Sequence, residues 1–120
     1  MSATWNITLE RRIDEGQFDS VCSELGLLRN GNTAYDVRVT GTKVLDDLGI
    51  NGVEVHYGKG TRNDPLVIRS CAGELRYEAM KRTALDLAEK LPFRTISGEW
   101  FDEVSKKPLP YSADVFKQLE

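Results

Sequence analysis

Residues 53–91 restrict what this chain can fold into more than any other stretch. Val53, Val55 and Tyr57 alternate with Glu54 and His56, and Leu66, Ile68 and Ser70 alternate with Val67 and Arg69. That period-2 pattern marks two half-buried strands. A glycine-rich basic loop separates them. After them Tyr77, Met80, Ala84, Leu87 and Leu91 recur at spacings of 3, 4, 3 and 4, with Ala88 widening the stripe, which predicts a long amphipathic helix. Glu78 with Arg82, and Asp86 with Lys90, fall at i,i+4 on its wet side. Pro92 is expected to stop it.

One register satisfies both strands. Pairing Val55 with Ile68 puts Tyr57 opposite Leu66 on one face and Glu54 opposite Arg69 on the other, an opposite-charge cross-strand pair. A slip of one residue would scramble both rows. The segment therefore reads as a hairpin closed by a long loop over residues 58–65.

Earlier in the chain Trp5, Ile7 and Leu9 alternate with polar neighbours and predict a strand. Asp14 followed by Gln17 is an N-cap arrangement, and Phe18, Val21, Cys22, Leu25 and Leu28 then share a helical face. Asn30-Gly31-Asn32 is read as the stop of that helix. Tyr35, Val37 and Val39 predict a second strand, residues 42–48 a short helix or turn, and Asn51-Gly52 a turn. Ile96, Gly98 and Trp100 predict a last strand, Lys106 to Pro110 a break in regular structure, and residues 112–119 a short terminal helix.

The resulting order predicts an α+β two-layer domain with two helices on one face of a mainly antiparallel sheet. It is close to a ferredoxin-like βαββαβ unit with an extra strand or short helix. Residues 1–105 are expected to form the single domain and residues 106–120 a tail packing on it. At 120 residues the chain can bury roughly two-thirds of the surface it exposes when unfolded. There is no apolar run of the length a membrane span needs, and the first residues lack a basic segment followed by an apolar one, so a cytoplasmic protein is expected.

The net charge of −3 is unevenly spread. Residues 1–55 carry 5 basic and 9 acidic side chains, residues 56–82 carry 6 and 3, and residues 83–120 carry 5 and 7. The acidic whole disfavours non-specific nucleic-acid binding, while the basic middle leaves room for a local anion site. Gly58, Lys59, Gly60, Thr61 and Arg62 are its candidates: glycines free backbone amides to approach an anion, and the two cations neutralise it. The loop is not a P-loop, since Val53 stands where that motif needs glycine, Gly60 where it needs Ser or Thr, and no helix follows directly.

No catalytic set emerges. Cys71 at a strand end before a helix suggests an activated thiol, with His56 as its base. The register, however, puts Cys71 four residues along from Val67, the partner of His56, or roughly 13 Å away. The two cysteines form no Cys-x-x-Cys pair and are expected to be buried, reduced thiols. One histidine and the adjacent acidic pairs Asp46-Asp47 and Asp102-Glu103 suggest no metal ligand set, and no cofactor motif is present.

The last strand carries one oddity. Ser97, Glu99, Phe101 and Glu103 share a face opposite Trp100, so Phe101 is expected to point outward from a polar row. Trp100, Phe101 and Tyr111 are therefore the candidate partner interface. Together these readings predict a small non-enzymatic protein that binds a macromolecular partner: an inhibitor, an immunity or anti-defence protein of bacterial or phage origin, or an adaptor. The expected partner is another protein or a second copy of the chain. The alternative is a phosphate-ligand or nucleic-acid binding module built on the hairpin loop over residues 56–64.

Overall fold

The computed structural model describes residues 3–32, 36–41, 53–58, 66–70, 76–98 and 109–112. Their order is β1 (Ala3–Leu9), α1 (Glu15–Glu24), β2 (Leu27–Asn32), β3 (Asp36–Gly41), β4 (Val53–Gly58), β5 (Leu66–Ser70), α2 (Arg76–Ala88), β6 (Phe93–Gly98) and β7 (Leu109–Pro110). The seven strands form one sheet in the order β2-β3-β4-β5-β1-β6-β7, and every neighbouring pair is antiparallel. Both helices lie on the same side of it, giving an α+β two-layer architecture. A ferredoxin-like order is not established. The connection from β1 through α1 enters the sheet at the far edge, with β5, β4 and β3 between β1 and β2, whereas a split βαβ unit leaves room for one strand.

The hairpin register is the one the alternation predicts. Val55 pairs with Ile68, Tyr57 with Leu66, Glu54 with Arg69 and His56 with Val67. Val53, Val55, Leu66 and Ile68 are fully buried under the helices, while Arg69 is exposed on the other side. β1 lies between β5 and β6, with Trp5 opposite both Ile68 and Gly98. Trp5, Phe18, Met80, Leu87 and Ile96 complete the centre of the core, each with no more than 1 % of its surface exposed. Burial of a side chain of this size contributes about 2 kcal/mol.

Helix α1 starts as the sequence predicts: Asp14 is extended (φ −88°, ψ 167°) and its Oδ1 accepts from the Gln17 amide at 2.7 Å. It ends earlier. Leu25 is the C-cap, and Gly26 at φ 72° turns the backbone into the left-handed region. Leu27 and Leu28 therefore belong to β2. Asn30-Gly31-Asn32, read as the helix stop, lies in that strand instead, where the pairing with β3 shifts between Arg29 and Gly31. Helix α2 buries Met80, Ala84 and Leu87, as its stripe predicts, together with Ala79 and Thr83. The Thr83 hydroxyl donates to the Ala79 carbonyl at 2.9 Å, which satisfies a polar group inside an apolar layer. Lys90, expected to pair with Asp86, reaches across to Glu24 Oε2 of α1 at 2.9 Å.

A second irregularity shapes β6. Leu9 pairs with Phe93 but Thr8 with Thr95, so Arg94 is an extra residue in the strand. That bulge lets Phe93 and Ile96, three residues apart, both face the core. The Arg94 carbonyl accepts the Tyr111 amide at 2.9 Å, next to β7. Leu109 and Pro110, expected in a break of regular structure, pair with Ile96 and Thr95. Pro110 is tolerated there because β7 is the sheet's edge strand. The expected short helix over 42–48, the turn at Asn51-Gly52, the terminal helix over 112–119 and Tyr35 lie outside the described residues, apart from Ser112.

Candidate binding surfaces

Among the described residues, two surfaces stand out as places for a ligand or partner. The first follows from strand alternation. With Val53, Val55, Tyr57, Leu66, Ile68, Trp5 and Ile7 turned to the helices, their neighbours form the opposite face: Thr4, Asn6 and Thr8 of β1, Glu54 and His56 of β4, Val67 and Arg69 of β5. No described helix or strand packs on this face. It is polar but not uniformly wet: Glu54, His56 and Val67 are half-buried, whereas Asn6, Thr8 and Arg69 are exposed. His56 Nε2 lies 3.1 Å from Glu54 Oε2, joining the two side chains along β4. Glu54 also sits opposite Arg69 in the pairing, so the centre of the face alternates acid, base and imidazole.

The aromatic residues sort to the other side. Trp5, Phe18, Tyr57 and Phe93 are buried beneath or within the helix layer. The Phe18 and Tyr57 rings stack at 4.9 Å with 20° between planes. Among the described residues the open face therefore offers no aromatic platform of the kind single-stranded nucleic acid stacks on.

The second surface is a cleft of about 630 Å³ where β1 turns into α1, lined by residues 11–15, Gln17 and Tyr57. The turn is held at both ends. Glu10 N donates to Pro92 O at 2.7 Å, and the Tyr57 hydroxyl donates to the Ile13 carbonyl. Two arginines, Arg11 and Arg12, and two acids, Asp14 and Glu15, are among its lining residues. Sequence reasoning passed over this pair because it falls in the net-acidic part of the chain. The available signal was two adjacent arginines between a strand end and an N-cap.

No family model matches the chain. Neither a curated protein nor a solved structure matches it. What it does must therefore be argued from these surfaces and from the residues the sequence singles out. Of the anion candidates, Gly58 is the last residue of β4, paired with Asp36, while Lys59, Gly60, Thr61 and Arg62 lie outside the described residues. Of the interface candidates, Trp100 and Phe101 also lie outside them. Tyr111 is half-buried and packs edge-on against Phe93, with ring centroids 5.2 Å apart and planes at 73°. Burial, with Glu89 adding to it, holds its phenol above the ordinary range.

Cys71 is outside the described residues, and Cys22 is a buried free thiol. Burial, with the Asp19 carboxylate adding to it and Arg29 opposing it, pushes the Cys22 thiol up to about 12. It stays protonated at neutral pH and is no nucleophile. Among the described residues no group of three or more His, Cys, Asp or Glu side chains is placed to hold a metal ion. No helix among them is long and apolar enough to cross a membrane.

Proposed function

We propose that the protein acts by binding a macromolecular partner, most simply another protein, with the open face of its sheet. One observation carries this reading: the helices cover one face, and the other presents a row of half-buried Glu54, His56 and Val67 beneath no described element. Across the six strands β2 to β6 with β1, strand spacing gives about 24 Å, and a six-residue strand gives about 20 Å. That plane, about 480 Å², is a little over half of one partner's share of a standard interface, about 800 Å². Interspersed acid, base, imidazole and amide side chains suit a partner of mixed polarity, where hydrogen-bond matching sets specificity. An antiparallel sheet tolerates water on one face, so a sheet of this kind can present such a surface. Inhibitor, immunity and adaptor roles all use a surface of this kind.

Hydroxyl-radical footprinting of the protein alone and in its captured complex tests the reading. Oxidation of His56 and Val67 should fall sharply on binding, with Tyr77 on α2 unchanged. Equal reactivity of His56 and Val67 in the free and bound protein would contradict it.

A further inference from the structure

We draw no further inference here: the strongest candidate, the outer edge of β2 (Leu27–Asn32) at one end of the sheet, pairs only with β3 among the described residues, and nothing in the structure shows what covers it.

Discussion

Tyr57 ties β4 to α1 and to the turn before it. Its ring stacks on Phe18 of α1, its hydroxyl donates to Ile13, and its backbone pairs with Leu66 and Val37. Tyr57→Phe keeps the stack and removes only the hydroxyl, so it should cost about 1 to 3 kcal/mol, the range for a buried carbonyl left without its donor. Urea unfolding should show a lower midpoint and an unchanged slope. Gly98 is constrained differently. At φ 129° it lies where L residues are strained, and an added Cβ would stand 2.3 Å from the Thr4 carbonyl oxygen. Gly98→Ala should therefore cost about 2 kcal/mol or more, or displace β6 from β1. Cys22 supplies a pH test. The native state holds the thiol proton more tightly than the unfolded chain, whose value is 9.0, because the folded value is raised to about 12. Its contribution to stability is whole below pH 9 and is lost as the pH climbs towards 12. Over that range the wild-type urea midpoint should fall more steeply than that of Cys22→Ala; parallel curves would contradict the burial of this thiol.

At the scale of elements, α1 depends on its cap. Asp14→Ala removes the acceptor for the Gln17 amide and should cost about 1 kcal/mol. Arg29→Ala breaks exposed pairs with Glu15 and Asp19 and should leave the urea midpoint nearly unchanged, since solvent already weakens them. The start of this helix is legible in the sequence and its end is not. Phe18, Val21, Cys22, Leu25 and Leu28 keep helical spacing straight through Gly26, so periodicity continues where the backbone has turned. The hairpin is legible because β4 and β5 both alternate strictly, and one pairing alone aligns Val55 with Ile68 and Glu54 with Arg69. β2 lacks such alternation: Leu27 and Leu28 are adjacent and polar residues follow, so its partner β3 defines it as a strand. The bulge at Arg94 is equally silent, because only the pairing with Thr8 and Leu9 makes that residue surplus. The cleft is half legible. Arg11 and Arg12 are adjacent in the chain, but Tyr57 reaches Ile13 from 44 residues away, a neighbour only the topology supplies.

At the scale of the whole molecule the sheet has one face packed against the helices and one beneath no described element, the face that the proposed function uses. The helix side holds the buried aromatics and the aliphatic rows, so truncation there should act on folding: Ile68→Ala should cost roughly 2 to 5 kcal/mol. The open side holds exposed or half-buried polar groups whose replacement should leave stability within about 0.5 kcal/mol. This separation makes the proposed function testable without confusion between unfolding and lost binding. The most direct measurement is capture from native lysate by wild type and by the double variant Asn6→Arg/Arg69→Gln, which alters bulk and charge on the open face alone. The account predicts a partner retained by the wild type and lost from the double variant, at matched melting temperature and matched amounts of folded protein. Equal capture by both would contradict it.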